Sequence, residues 1–140
     1  EKGYRGIVIA GTGLGHVNQP LYDPVKKACE AGVHIFMTVQ TLWGYVQMDV
    51  YDTGRDLQQR GIIPGANMLP ESGYMKLCWV LGQVPEEMDK TEEGHRLVKE
   101  MMMTPIAGEI TSREPYNGYI ILQGGIPEVD RFIGKTLKFL

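Results

Sequence analysis

The sequence of 140 residues has the composition of an ordinary globular domain: 43% of its residues are hydrophobic, 22% are charged, and the formal net charge is −3. These values exclude disordered and fibrous proteins, and the length fits one domain. No apolar run approaches the ~18 residues of a membrane helix, and the slight negative charge argues against a broad nucleic-acid-binding face. The opening Glu1-Lys2-Gly3 is typical of the end of a helix, so we expect a part excised from a longer protein.

The first forty residues have the pattern of a βαβ unit. Residues 6–10, GIVIA, are largely β-branched without alternation, as in a parallel strand covered on both faces. A glycine-rich turn at 11–16, GTGLGH, leads into a helix over 21–31 that stops at Gly32. A second buried strand is predicted for 33–39, and the crossover between the two strands is expected to be right-handed.

The stretch 40–81 follows the second strand, and loops at the carboxyl ends of strands are where open α/β sheets bind ligands. It starts with an aromatic loop at 42–45 and a polar turn that ends in Thr53-Gly54-Arg55. One or two helical turns are predicted for 56–60, and a short strand is predicted for 62–63.

A long apolar helix is predicted for 70–81, with Pro70 in its first turn and Gly82 as its stop. Gly73 lies inside this helix, which indicates close packing. The apolar residues cover much of the circumference, so the helix should be buried on more than one side. They are Met75, Leu77, Cys78, Val80 and Leu81.

A further helix is predicted to start at Pro85 and to carry the methionines at 101–103 as gap-filling core residues. Residues 104–115 have the pattern of a loop, 119–122 predict a strand, and 127–137 predict a terminal amphipathic helix. Strands that alternate with helices predict an α/β fold. We expect three layers, with a short, mostly parallel sheet flanked by helices, as in Rossmann- and flavodoxin-like domains.

The glycine-rich turn invites comparison with dinucleotide-binding sites but lacks their fingerprint. His16 stands where G-x-G-x-x-G requires its third glycine, and the second strand runs into Gln40 without the carboxylate that binds ribose. Two interpretations are open. The turn either makes a tight connection that needs glycine torsions or presents backbone N–H groups to an anion or a small amide.

No pattern in the sequence forms a self-sufficient catalytic apparatus. The histidines lack metal-ligand spacing, and no serine lies in a nucleophile elbow. Asp49 and Asp52 suit acid–base chemistry or, more commonly, solvated and capping roles. Arg55 suits a carboxylate partner or, by default, a structural salt bridge. Cys29 and Cys78 lack CxxC spacing and predict buried, reduced thiols in a cytoplasmic protein, with a disulfide as the alternative.

Taken together, the motifs resemble the C-terminal domain of the type I, cytoplasmic-class L-asparaginases. The matching segments are GIVIAGTGLGHV at 6–17, TVQT at 38–41, GYV at 44–46, YDTGR at 51–55, GIIPG at 61–65, KLCWVLG at 76–82 and IAGEI at 106–110. The resemblance covers about 3–110. It implies that 1–140 is an asparaginase-like C-terminal domain in which 111–140 is an extension without family motifs.

Within this family, GTGLGHV and VYDTGR are most similar to the asparaginase-like D subunits of archaeal glutamyl-tRNA(Gln) amidotransferases. The resemblance implies a parent enzyme that releases ammonia from glutamine or asparagine, a homodimer, a partner E subunit and Glu-tRNA(Gln) bound through the complex. It implies no cofactor in this domain, because ATP and Mg²⁺ would belong to the partner subunit, and no membrane or DNA partner. The alternatives are a stand-alone cytoplasmic L-asparaginase and a non-catalytic amino-acid-binding or assembly module.

The resemblance assigns no catalytic residue and no metal ligand to this chain. The family's nucleophilic threonines, with their Asp and Lys helpers, lie in an N-terminal domain, so this domain alone is expected to be inactive. Its loops are instead expected near a neighbouring subunit's substrate or at the dimer interface. The candidates are Leu14, Gly15, His16, Gln40, Thr41, Asp49 and Arg55. Leu14 replaces the family's Asn, Asp49 roughly matches its acidic residue, and Thr41 replaces the cysteine of a bacterial allosteric site.

Overall fold

Three parallel strands form one open sheet with helices on both faces in the computed structural model of the chain. The structure describes residues 3–111, 115–116 and 119–120. The strands are β1 (Gly6–Gly11), β2 (His34–Val39) and β3 (Ile62–Pro64), and they pair in the order β1-β2-β3. The helices are α1 (Tyr22–Glu30), α2 (Asp52–Gln59), α3 (Pro70–Gln83) and α4 (Glu92–Met103). No helix in this part of the chain combines the length and apolarity needed to span a bilayer.

The central strand β2 is buried along its whole length and supplies a hydrophobic cluster to each face of the sheet. Ile35, Met37 and Val39 pack on one face with residues of α1 and α2, such as Leu57. Phe36 packs on the opposite face with residues of α3 and α4. Successive side chains of a strand point to opposite faces, so a strand buried on both sides requires helices above and below. The predicted three-layer α/β architecture is therefore confirmed.

The predicted strands of the sheet and the first helix are confirmed, whereas the boundaries of α2 and α3 differ from those predicted. α2 begins at Asp52 instead of residue 56, and Gly54 lies inside it, directly against the backbone of Met48. α3 continues through Gly82 to Gln83, and Gly82 has open space around it. Glycine therefore marks neither a turn in α2 nor a stop in α3.

α3 has one buried face and one exposed apolar face, so the prediction that it is buried on more than one side is wrong within the described residues. The buried face consists of Gly73, Lys76, Leu77, Val80 and Leu81. The exposed face includes Tyr74, Met75 and Trp79, which are 60%, 67% and 49% exposed. Cys78 is also exposed and Cys29 is half-buried, both as free thiols, so the prediction of two buried cysteines is wrong too.

The helix predicted to start at Pro85 is interrupted before α4 begins. A 3-10 turn covers Glu86–Met88, and α4 starts after Thr91, whose hydroxyl accepts a hydrogen bond from the Gly94 N–H at 3.0 Å. This is the ordinary way in which a threonine caps a helix N-terminus. Further along α4, Met102 is fully buried and its two methionine neighbours pack against the same cluster, which confirms their role in the core.

Asp89 lies in the interruption and ties it to the start of the sheet. Its carboxylate accepts hydrogen bonds from Arg5 Nε at 2.7 Å and Nη2 at 2.9 Å, and it lies 3.2 Å from His34 Nε2. Arg5 also donates to the carbonyls of Leu81 and Val84 at the end of α3. Burial by itself would raise the pKa of Asp89, but the hydrogen bonds from Arg5 and His34 outweigh it and lower the pKa.

A second ion pair fixes the loop that follows α4. Lys76 is 8% exposed, and its ammonium donates to the Glu109 carboxylate and, at 2.5 Å, to the Thr104 carbonyl. Glu109 also accepts the N–H groups of Ile106 and Ala107. The Lys76 hydrogen bond, with help from these N–H groups, lowers the pKa of Glu109 to about 2. Residues 104–111 contain neither helix nor strand, as predicted.

The chain divides into two compact units, Glu1–Ile110 and Thr111–Leu140. In the second unit, β4 (Pro115–Tyr116) and β5 (Tyr119–Ile120) pair in antiparallel orientation. The strand predicted for 119–122 is thus present in its first two residues. Its remainder and the helix predicted for 127–137 lie outside the described residues. The assignment of 111–140 as an extension of an asparaginase-like domain stays a prediction.

Candidate functional site

The glycine-rich turn after β1 is closed by its own backbone. The Thr12 N–H donates to the His16 carbonyl, and the N–H groups of Gly15 and His16 both donate to the Thr12 carbonyl, at 2.9 to 3.0 Å. Gly13 and Gly15 have φ angles of 52° and 100°, which other residues rarely adopt. Three N–H groups of the turn are engaged internally. This favours the tight-connection interpretation over the binding of an anion.

His16 lies at the end of this turn, against the start of α2. Its Nδ1 is 3.4 Å from the Thr53 hydroxyl, and its ring lies 5.5 Å from the Tyr51 ring with a tilt of 57°. Its Nε2 is buried and has no hydrogen-bond partner among the described residues. A buried nitrogen without a hydrogen-bond partner costs free energy of folding. A polar group bound at this edge of the sheet would give the His16 Nε2 such a partner.

Asp49 and Arg55 meet, but they do not form an ion pair. Arg55 Nη1 donates to the backbone carbonyl of Asp49 at 2.7 Å, so it binds the main chain instead of the predicted carboxylate. The Asp49 carboxylate accepts a hydrogen bond from the side-chain amide of Gln58 at 2.8 Å. Asp52, in the first turn of α2, accepts the N–H of Thr53 at 3.0 Å. These contacts hold the loop onto α2, which is the structural role weighed for both aspartates.

Gln40 and Thr41 extend β2 into a loop with an exposed apolar tip. The Gln40 N–H donates to the Gly11 carbonyl at 3.0 Å, which continues the ladder between β1 and β2. The next two side chains, Leu42 and Trp43, are 80% and 94% exposed. Two large apolar side chains exposed side by side on a loop are typical of an interaction surface, and Trp is enriched among residues that dominate binding energy.

The structure joins the glycine-rich turn to the loop before α2. The Gln47 N–H donates to the Leu14 carbonyl at 2.9 Å, and a Cβ added to Gly15 would lie 3.0 Å from a methyl group of Val46. A third contact joins the His16 imidazole to the Thr53 hydroxyl at the start of α2. These contacts bring the candidate residues of the turn and the segment 49–55 to one edge of the sheet. Gln40 and Thr41 lie at the end of the neighbouring strand, in a separate loop.

This arrangement suits the recognition of a polar group better than self-contained nucleophilic catalysis. His16 and Thr53 are residue types that form base–nucleophile pairs, but within the described residues no carboxylate orients the imidazole, because its second nitrogen is unpartnered. The described residues also contain no group of three or more His, Cys, Asp or Glu side chains that suits a metal ion. The sequence pattern does not mark Tyr51, Thr53 or Gln58 as site residues, because it predicts a start of α2 that is too late to direct them toward the turn.

The chain matches a known domain family. The model of the glutaminase/asparaginase C-terminal domain matches residues 1–93. The chain belongs to this family. The match confirms the resemblance that the motifs indicated, and it includes all seven candidate residues at the carboxyl edge of the sheet.

Curated relatives of this asparaginase C-terminal domain include the D subunits of glutamyl-tRNA(Gln) amidotransferases. The protein from Pyrococcus furiosus is 46% identical over 121 residues, and the protein from Methanothermobacter thermautotrophicus is 49% identical over 113 residues. The alignments cover 86% and 81% of this chain but 26% and 24% of the relatives. The chain therefore spans about a quarter of the length of these relatives.

Solved structures with the same fold as this asparaginase C-terminal domain include two L-asparaginases. The thermostable L-asparaginase from Thermococcus kodakarensis superimposes with a TM-score of 0.65 at 31% identity, over 77% of this chain and 31% of that protein. L-asparaginase I from Vibrio cholerae superimposes with a TM-score of 0.66 at 30% identity, over 80% and 32%. Both superpositions support the α/β assignment of the described sheet.

Proposed function

We propose that this domain is part of the D subunit of a glutamyl-tRNA(Gln) amidotransferase. The observation that carries the proposal is the difference in similarity: the chain is 46% identical to the amidotransferase protein of Pyrococcus furiosus but 31% and 30% identical to the two L-asparaginases. The parent protein would release ammonia from glutamine or asparagine, and an E subunit would use the ammonia to amidate Glu-tRNA(Gln). ATP and Mg²⁺ would be bound by that partner subunit.

Within such a protein, we propose that this domain contributes to a homodimer and completes an active site whose nucleophile lies elsewhere. Two features at the carboxyl edge of the sheet support this role. The exposed Leu42 and Trp43 offer an apolar anchor for a second subunit. The unpartnered Nε2 of His16 offers a hydrogen-bonding group to a polar ligand or to a residue of the neighbouring subunit.

The test of the proposed reaction uses this domain within the full-length D-type protein, together with its E-type partner. The complex is expected to convert Glu-tRNA(Gln) to Gln-tRNA(Gln) with glutamine or asparagine as donor, and to hydrolyse the donor faster when the tRNA is bound. The 140-residue chain alone serves as the control and should release no ammonia above background. Full donor hydrolysis without the partner and without any response to tRNA would exclude this function.

Replacement of Trp43 tests the proposed dimer. In the full-length protein, Trp43→Ala is expected to weaken dimerisation by about 2 kcal/mol or more, roughly 30-fold in Kd, because a truncated aromatic anchor typically costs that much. Its unfolding free energy should change by less than about 0.5 kcal/mol, because the side chain is 94% exposed. Sedimentation velocity measures the first quantity, with Leu21→Ala, which removes a half-exposed apolar side chain elsewhere, as the control. An unchanged dimer would contradict the proposal.

The second candidate is a stand-alone L-asparaginase, and it is favoured by the superposition on two such enzymes. It predicts high asparagine hydrolysis by the full-length protein with no partner and no tRNA. A third candidate is a binding or assembly module, which would use the same edge to hold a free amino acid. Calorimetry separates it from the others, because only a ligand-sensing domain would bind asparagine, aspartate or glutamine tightly as the 140-residue chain.

A further inference from the structure

A cavity of about 630 Å³ lies at the amino ends of β2 and β3, at the opposite end of the sheet from the candidate site. Its walls come from the end of α1, the turn before β3, the interruption before α4 and the first turns of α4. A volume of this size is typical of pockets that hold small ligands. The ionisable side chains of its walls include His34, Arg60, Asp89, Lys90, His95 and Lys99.

Two lysines in the cavity wall carry charges that no acidic partner neutralises. Lys90 and Lys99 are exposed, and neither forms an ion pair with any described residue. The stem of Lys90 lies against Gly32, because a Cβ added there would be 2.8 Å from the Lys90 Cγ. The arginines of the wall, in contrast, are held by acidic residues three or four positions away. The two ammonium groups are therefore available to an anion that enters the cavity.

Two stacked imidazole rings lie beside these charges. The rings of His34 and His95 are 5.8 Å apart and 13° from parallel. His34 is 1% exposed, and its Nε2 lies 3.2 Å from the Asp89 carboxylate. Its Nδ1 is buried without a partner among the described residues. The His95 ring is half-buried and makes no hydrogen bond in the same part of the chain. Both rings thus have nitrogens that the fold leaves unused.

His95 is a hydrogen-bond donor at neutral pH without being a cation. Burial lowers the pKa of His95, and the nearby His34 and Lys99 lower it further, so the ring is neutral at pH 7. A neutral imidazole has one N–H donor and one acceptor nitrogen. Because Asp89 anchors His34 and His34 stacks on His95, the plane of the outer ring is fixed before a ligand arrives.

We propose that this cavity binds a phosphate group that is part of a larger molecule. The ammonium groups of Lys90 and Lys99 neutralise its charge, and the His95 N–H donates to one of its oxygens, because lysine is a common partner of phosphate and hydrogen bonds to ionised acceptors are strong. A phosphate group fills only a fraction of the cavity, so the remaining volume holds the rest of the ligand. The proposal does not depend on the reaction of the parent protein, since the cavity lies at the other end of the sheet.

The acidic residues of the wall leave this charge balance in place. The Asp89 carboxylate is neutralised by Arg5 at 2.7 Å, and Glu30 lies 3.8 Å from Lys26. Glu92 is exposed and has no ion pair with a described residue, so it opposes an anion in the cavity. Removing the Glu92 charge should therefore strengthen the binding of an anion and weaken the binding of a cation. This difference in sign gives the proposal a sharp test.

NMR titration of the 140-residue chain with inorganic phosphate locates the site. The ring resonances of His34 and His95, and the backbone amides of residues 89–95, are expected to shift until the site is saturated. Sodium chloride at matched ionic strength should not reproduce these shifts, because it screens charges without occupying a phosphate site. Shifts that chloride reproduces, or that never saturate, would overturn the proposal.

Charge variants establish which side chains hold the phosphate. Lys90→Ala and Lys99→Ala are each expected to weaken binding about fivefold, as for the loss of a favourable exposed ion pair. Lys27→Ala, which removes an exposed lysine of α1 outside the cavity wall, is the matched control and should change the affinity by less than about twofold. Glu92→Gln should strengthen binding about twofold or more. Equal losses in all three lysine variants, or weaker binding in Glu92→Gln, would contradict a specific anion site.

Two further titrations distinguish the sources of the phosphate group. If the ligand is a free organic phosphate, ribose 5-phosphate should shift the same resonances at lower concentration than inorganic phosphate does. If the phosphate belongs to an RNA backbone, a tRNA transcript should shift them with an affinity that falls as salt rises, and ribose 5-phosphate should bind no better than inorganic phosphate. Either result supports the site and identifies its source. No saturable shift with any of the three ligands would overturn the proposal.

Discussion

Two glycines of α3 show how one residue type serves opposite purposes in the same helix. Gly82 has open space where a Cβ would be, so Gly82→Ala is expected to stabilise the chain by up to ~1 kcal/mol through helix propensity. Gly73→Ala has the same gain in propensity, but its Cβ would lie 3.0 Å from the ring of Phe36, which is fully buried. Overpacking of about 1–3 kcal/mol should make this variant less stable. Urea unfolding compares the two, and equal stabilisation by both would contradict the packing argument.

The Glu109 carboxylate gives the chain a specific sensitivity to acid. Its pKa is about 2 in the folded state against an ordinary value of 4.5, so the unfolded state takes up the proton first. The stability that Glu109 contributes is thus complete above about pH 4.5 and is lost as the pH falls toward 2. Unfolding free energies from pH 7 to pH 3 should show a deficit in Glu109→Gln that narrows below pH 4.5. Glu93→Gln, which removes an exposed partner of Arg96, serves as the control and should change little at any pH.

At the scale of elements, the sequence correctly predicts those strands and helix ends that depend on a few neighbouring residues. The β-branched runs of β1 and β2, and the glycine that follows α1, were sufficient for correct assignments. The start of α2 was not, because Gly54 is required by close contact with the Met48 backbone and not by a turn. The interruption before α4 is fastened by Asp89, whose partner Arg5 lies 84 residues earlier. Contacts over such distances leave no periodic signal in the sequence.

The candidate site, too, has features that local sequence signals predict and features that only long-range contacts determine. Its location could be predicted, because the carboxyl edge of a parallel sheet follows from the order of strands and turns. The partners of its side chains could not, because Arg55 binds a carbonyl instead of a carboxylate and His16 meets Thr53 across 37 residues. The exposed face of α3 could not be predicted for a related reason. A helix with apolar residues all around it has the same sequence pattern whether its second face is buried within the chain or exposed.

The Arg5–Asp89–His34 network holds the interruption before α4. Removing this network should destabilise the whole sheet. In Asp89→Asn, Arg5 loses its counter-ion at a site where the two side chains are 22% and 10% exposed. The expected loss of unfolding free energy is about 1.5–3 kcal/mol, as for hydrogen bonds to charged groups. Asp23→Asn is the control, because Asp23 is 85% exposed at 3.6 Å from Arg60, and a change within about 0.5 kcal/mol is expected. Equal effects in urea unfolding would show that the network does not stabilise the fold.

At the scale of the whole molecule, the two hydrophobic clusters and the two buried ion pairs found among the described residues lie before residue 111. Residues 1–110 are therefore expected to unfold in a single cooperative transition. Residues 1–103 keep all four helices but lose Glu109 and the Thr104 carbonyl, which leaves the Lys76 ammonium buried without either acceptor. Loss of one partner of a buried pair costs about 3–5 kcal/mol, so this shorter chain should unfold at markedly lower urea concentration. Lys76→Met within residues 1–103 removes the stranded charge and should restore part of the stability. Equal midpoints for 1–110 and 1–103 would show that the loop at 104–110 contributes nothing to the core.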